Sequence, residues 1–156
     1  MGFLFFLFLL WTVPCFAMDP QEALFNSARK GVEDDLEELL FSGQYKIDLN
    51  KASSDNGNTA LHLAAQADHT KCVFLLLKAG ANVDSRNKLL ETPLHRAAVR
   101  GALRTAKLLV HKGADLSALN KDKETPRQVA NKAELKEILT PGVEIKWEED
   151  EDNDSE

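Results

Sequence analysis

The sequence predicts an all-α solenoid of about four helix-turn-helix units, and three observations carry that prediction. First, Thr59, Thr92 and Thr125 stand 33 residues apart, and the segments they open are alike. Second, Pro93 and Pro126 come directly after a threonine. Proline at the first helical position sacrifices no hydrogen bond, and the threonine before it can cap the exposed amides. Third, Gly80 and Gly113 each close an apolar run, where glycine can take the left-handed conformation that ends a helix. A fixed period of this length means one supersecondary unit repeated along the chain. Each unit is amphipathic and cannot bury its apolar face alone, so neighbours must stack into a continuous core.

In chain order, residues 1–17 read as an apolar, signal-like leader. Met1 to Ala17 contains no charged residue and ends in small residues that fit a signal-peptidase site, although the basic segment that normally precedes the apolar core is missing. The run is shorter than the roughly 20 residues that span a bilayer, so no stable membrane span is expected. The other reading is that Met18 is the usual start and the stretch before it a non-functional extension. The repeat domain is expected over 18–143, with units near 20–53, 54–86, 87–119 and 120–140.

The first unit is divergent. Ala28, Leu36, Leu39, Leu40 and Gly43 stand 37 residues before Ala65, Val73, Leu76, Leu77 and Gly80, so the connection from Gln44 to Asn58 is longer than the others. The second opens with Thr59-Ala60-Leu61-His62-Leu63-Ala64-Ala65, the third with Thr92-Pro93-Leu94-His95-Arg96-Ala97-Ala98, and the fourth with Thr125-Pro126-Arg127-Gln128-Val129-Ala130. The fourth helix pair is about three residues short. End units should carry polar residues outward, and Asp34, Asp35, Glu37 and Glu38 decorate the first while Lys132, Glu134, Lys136 and Glu137 decorate the last. These segments resemble the ankyrin pattern T-P-L-H-x-A-A, with Gly80-Ala81-Asn82-Val83-Asp84 and Gly113-Ala114-Asp115 similar to its Gly-Ala loop. The resemblance covers roughly Pro20 to Thr140.

Apolar residues make up 44% of the 156 and charged residues 28%, the mixture of one globular domain. The formal charge of −6 is segregated, at −4 from Met18 to His95, +6 from Arg96 to Lys136 and −8 from Glu137 to Glu156. A chain acidic overall, whose basic segment has no interleaved aromatics, is not expected to bind nucleic acid. Cys15 and Cys72 are the two cysteines. Without the leader no intrachain disulfide can form, which fits a reducing compartment, cytoplasm or nucleus; secretion is the alternative if the leader works as a signal. Cys72 reads as a small buried helix residue.

No phosphate loop, nucleophile elbow, zinc-ligand spacing or singled-out carboxylate pair is present, so no catalytic residue, metal site or cofactor is assigned. The resemblance implies instead a monomeric module that binds a partner protein through hairpin tips and the inner face of the first helix of each pair. Carried onto this chain, that surface includes Asp55, Asn56, Asn58, Gln66 and Ala67, then Lys88, Leu89, Glu91, Val99 and Arg100, then Lys121, Asp122 and Glu124. His62 and His95 fall at the position where the family uses an imidazole to bond neighbouring loops. Leu90 and Asp68 depart from the pattern, each standing where a glycine is usual. Leu89 and Leu90 either form an exposed contact patch, or Leu90 tucks against the next repeat. Arg96, Arg100 and Arg104 would line up as a positive stripe if one helix ran through all three. After Pro141-Gly142, residues 144–156 hold eight acidic residues and one lysine, a self-repelling run expected to be disordered. Trp147 within it is a candidate anchor for a basic partner or for the chain's own third and fourth repeats.

Two functions are compatible with this surface: an adaptor, which needs a second binding surface, and an inhibitor that occludes an enzyme or transcription factor, which does not.

Overall fold

A computed structural model describes residues 19–53 and 55–145. The leader, the tail from Lys146 onward and its Trp147 lie outside the described residues. Within them are eight helices in four antiparallel pairs: α1 (Pro20–Lys30) with α2 (Glu33–Phe41), α3 (Ala60–Ala67) with α4 (Thr70–Lys78), α5 (Pro93–Arg100) with α6 (Leu103–His111), and α7 (Pro126–Val129) with α8 (Ala133–Ile138). The odd-numbered helices pack in sequence as one layer and the even-numbered helices as a second. Over the described residues the chain is an all-helical solenoid.

The inner layer is built from small residues so that helices approach closely. Ala60, Ala64, Ala65, Ala97 and Ala98 are fully buried between α1, α3, α5 and α7. Larger side chains, among them Leu36, Leu76, Leu108, Leu109 and Leu135, fill the space between the layers. Packing over both layers supplies most of the stability, because helices of eight or nine residues are too short to persist alone. The last pair is shorter still, at four and six residues. It is tied to its neighbour by side chains: Lys132 Nζ donates to Gly101 O at 2.9 Å and Asn131 Nδ2 to Val99 O at 3.0 Å.

Each inner helix of the first three pairs ends in a left-handed residue that reverses the chain into its partner. Gly31 and Gly101 do this at φ 77° and 73°, and Asp68 does it at 61° without being glycine. Its carboxylate takes part in the fold, accepting from Thr105 Oγ1 on α6 at 2.8 Å. At Gly31 the space is closed, because a Cβ there would stand 2.6 Å from the ring of His69, which packs against the turn and bonds to Arg29 O. Gly31→Ala is therefore expected to destabilise the fold by about 1–2 kcal/mol from the left-handed backbone alone, with the ring displaced in addition; urea unfolding would measure it.

Gly101 also corrects the expectation of an arginine stripe. The first helix stops at Arg100, so Arg96 and Arg100 lie on α5 while Arg104 lies on α6, beyond the turn. The three guanidinium groups do not share one helix face.

Candidate functional site

The hairpin loops between repeats are organised by two asparagines that the sequence pattern alone did not single out. Asn87 Oδ1 accepts from the backbone N–H of Leu89 and Glu91, each at 2.9 Å. Asn120 Oδ1 does the same for Asp122 and Glu124, at 3.0 and 2.9 Å. Each amide curls the loop around itself, and Asn87 N and Asn120 N donate back to Glu91 O and Glu124 O. The signal was available: both asparagines stand five residues before a repeat threonine.

Adjacent loops are then bonded to one another. Lys88 N donates to Asn56 O at 3.0 Å and Lys121 N to Leu89 O at 2.9 Å, so the tips form a short backbone ladder across the repeats. Beneath it run the histidines. His62 Nδ1 accepts from Thr59 N at 3.2 Å, which places its proton on Nε2 to donate to Glu91 O at 2.9 Å. His95 repeats this with Thr92 N at 3.2 Å and Glu124 O at 3.0 Å. Each imidazole thus caps its own helix and reaches the next loop. Burial pushes His62 down to about 4, helped by the positive charge of Arg96 and opposed by the bond to Glu91 O, and burial lowers His95 as well. Both rings are neutral at physiological pH and hold structure.

In the fourth repeat Gln128 stands at the histidine position. Its Oε1 accepts from Thr125 N at 2.8 Å, keeping the helix cap.

The expected contact residues divide by exposure. Asp55, Asn56, Lys88 and Leu89 are exposed at the second and third loops, Lys121 and Asp122 at the fourth, and Val99 and Arg100 at the end of α5. Gln66, Ala67 and Glu124 are half-buried. Asn58 and Glu91 are buried, which corrects their assignment to the contact surface. Both are consumed by the loops: Asn87 Nδ2 donates to Asn58 Oδ1 at 3.0 Å and to Glu91 Oε2 at 2.8 Å, and Glu91 also pairs with Arg96 at 3.3 Å.

Leu89 and Leu90 are both exposed, at 49% and 43%, so Leu90 does not tuck against the next repeat. Gly57, Leu90 and Lys123 occupy the same turn position in successive loops, with φ of 70°, 57° and 61°. The turn calls for a left-handed residue, and the third loop meets that demand with a leucine.

Neither reactive sulfur nor a metal cluster is found among the described residues. Cys72 is fully buried, and burial together with the charge of Glu33 pushes its thiol up to about 11. No group of three or more His, Cys, Asp or Glu is placed to hold a metal ion.

Comparison with known proteins agrees with this geometry. The family model of ankyrin repeats matches in three copies over residues 24–120, more than half of the chain. Neurogenic locus notch homolog protein 1 of Homo sapiens is 41% identical over 75 residues, which is 48% of this chain and 3% of that protein. The same protein of Mus musculus matches equally. Oxysterol-binding protein-related protein 1 of Rattus norvegicus is 38% identical over 73 residues, 47% of this chain and 8% of that protein. The chain therefore matches only a small part of the length of these relatives. With its repeat period, its relay of histidines between loops and the match over residues 24–120, the chain belongs to the ankyrin-repeat family and is a protein–protein interaction module.

Proposed function

We propose that the chain is a non-catalytic adaptor or scaffold that binds a partner protein through its concave surface, with the tip of the third hairpin as the main apolar contact. The observation that carries this is Leu90. A left-handed leucine costs roughly 1–2 kcal/mol relative to an allowed conformation, and at 43% exposure it gains little burial in return. The turn itself requires the left-handed backbone, as Lys123 shows at the same position, so what sets the third tip apart is that this residue is an exposed leucine. Leu89 beside it, equally exposed, completes an apolar tip of the kind partners cover.

The expected result of Leu90→Gly is a fold as stable as the parent or more stable by up to about 1 kcal/mol, since the strain is relieved and only the freer unfolded chain opposes it. Binding should fall. Leu89→Ser should weaken binding without lowering the melting temperature. Proximity labelling in cells with the whole chain, compared with these two variants, reads the binding and a thermal melt reads the stability. A neighbour list unchanged by either substitution would remove the tip from the binding surface.

An adaptor needs a second surface, and the outer layer offers one. Phe41 on α2 and Phe74 on α4, 33 residues apart, are 48% and 37% exposed. Each lies under a lysine of the following repeat, Lys78 at 5.6 Å and Lys112 at 5.5 Å from the ring centroids. An inhibitor acting by occlusion would need no such back face, so the adaptor is favoured. No helix among the described residues is long and apolar enough to cross a membrane. The free, buried Cys72 fits action in the cytoplasm or nucleus.

A further inference from the structure

Where α1, α3 and α5 lie side by side, the concave face sinks into a cleft of about 200 Å³ lined by Arg29, Leu63, Gln66, Ala67 and Arg100. Its charged residues are both donors. Gln66 Oε1 already accepts from Arg96 Nη2 at 2.6 Å and Gln66 O from Arg100 Nε at 3.4 Å, while no partner is found for the Gln66 amide N–H groups among the described residues. The other two polar residues lining it are arginines, and neither Arg29 nor Arg100 forms an ion pair among the described residues. Arg29 O, the acceptor nearest in sequence, is occupied by His69 Nε2 at 3.2 Å. Leu63 and Ala67 provide the apolar remainder.

A cleft with two cations, an amide donor and a hydrocarbon floor fits an acceptor carried on an aliphatic stem. Its volume is below the roughly 300–1,000 Å³ of small-molecule sites, so it suits one side chain. We propose that this cleft receives the carboxylate of a glutamate or aspartate from an acidic segment of the partner protein, with the carboxylate between Arg29 and Arg100 and its stem on Leu63 and Ala67. Guanidinium forks match carboxylates with two parallel hydrogen bonds, and planar pairs of this kind add geometry as well as charge. The proposal rests on the concave face being the binding surface, and it adds the chemistry of what binds there.

The test is selection of a phage-displayed library of random 16-residue peptides on the full chain, with fluorescence polarisation of the enriched peptides. The expected result is enrichment of a fixed acidic residue next to apolar ones. Affinity should then fall roughly tenfold or more when that residue becomes Gln or Asn, and equally in R29A or R100A, since a charge-assisted bond is lost in each case. Both arginines are exposed, so circular dichroism should show the variants folded; a double-mutant cycle between the peptide acid and Arg100 would show coupling. Peptides without an acidic requirement, no enrichment at all, or affinities indifferent to R29A and R100A would overturn the proposal. Loss of binding in Leu89→Ser but not in the arginine variants would sink the cleft and leave the concave reading standing, whereas indifference to all three would sink both. A full chain in which Glu148, Glu149 and Glu151 are changed to Gln, and which then binds the peptides more than tenfold tighter, would name the chain's own tail as the occupant and overturn the assignment to a partner.

Discussion

Lowering the pH from 7.5 to 4.5 is expected to remove about 2.5 kcal/mol of stability through His62 alone. The ring titrates at about 4 in the folded chain and near 6.5 when unfolded. Its contribution is therefore complete above pH 6.5, declines as the pH falls, and is gone once the pH passes below about 4. Between those values the unfolded chain binds the extra proton, because a charged ring would lie buried beside Arg96 and would lose the Thr59 N–H that Nδ1 accepts. His95 shifts in the same direction and adds to the effect. The decisive comparison is with His62→Gln, which removes this ring alone. Gln128 shows that glutamine keeps the helix cap in this repeat position. The variant should lose about 0.5–1.5 kcal/mol at pH 7.5 for the lost bond to the Glu91 carbonyl, which keeps its bond from Asn87 N, yet its stability should fall less steeply toward pH 4.5, so that the two curves converge or cross. Urea titrations at five or six pH values measure this, and parallel curves would mean that His62 is not the titrating group.

Leu94→Ala should be as damaging. Leu94 is fully buried on α5, the inner helix packed on both sides, between α3 and α7. Truncation removes the transfer free energy of three carbons and leaves a cavity among alanines that cannot grow to fill it, at a loss of about 3 kcal/mol or more. Against a total of roughly 5–15 kcal/mol that is a large share. Repeat stacks hold together through nearest-neighbour interfaces, so the defect falls on the junctions of the third repeat with both neighbours. The short α7–α8 pair has no other neighbour to lean on among the described residues. A urea transition with a lower midpoint and a shallower slope is expected, as the last repeat opens before the rest; a midpoint shifted by less than the equivalent of about 1 kcal/mol would show that the site collapses around the cavity.

The architecture was legible because its determinants are local and periodic. A Thr-Pro start, a glycine stop and an alanine-rich inner face recur at one spacing, and each acts within a few residues of itself. The fates of individual polar side chains were less legible, for a physical reason. Asn58 and Glu91 look like solvent-facing loop residues, but their partner is Asn87, 29 residues from the first and four from the second, and only the folded ladder brings the three together. The arginines at 96, 100 and 104 invite a helical reading at four-residue spacing, which Gly101 interrupts with its left-handed backbone. Leu90 was visible as a departure from the pattern, but its exposure depended on whether the turn aimed it outward. Of the residues lining the cleft, Gln66, Ala67 and Arg100 were named by the resemblance, whereas Arg29 and Leu63 join them only through the stacking of the helices.

The histidine relay also bears on how such a chain can change over generations. The junction made by His62 with Glu91 is repeated by His95 with Glu124, in nearly the same geometry and one 33-residue period later. Removing residues 59–91 would set Thr92 directly after Asn58 and present the same chemical joint to what remains. Duplicating them would do likewise. Gain or loss of a whole unit thus keeps every joint of the same kind and changes only the number of stabilising interfaces, whereas inserting or deleting a single residue inside a unit breaks the joints on either side of it. Length is free to drift in steps of one period, and selection for a particular partner is left to act on the few tip positions, Leu89 and Leu90 among them, that no neighbouring unit requires.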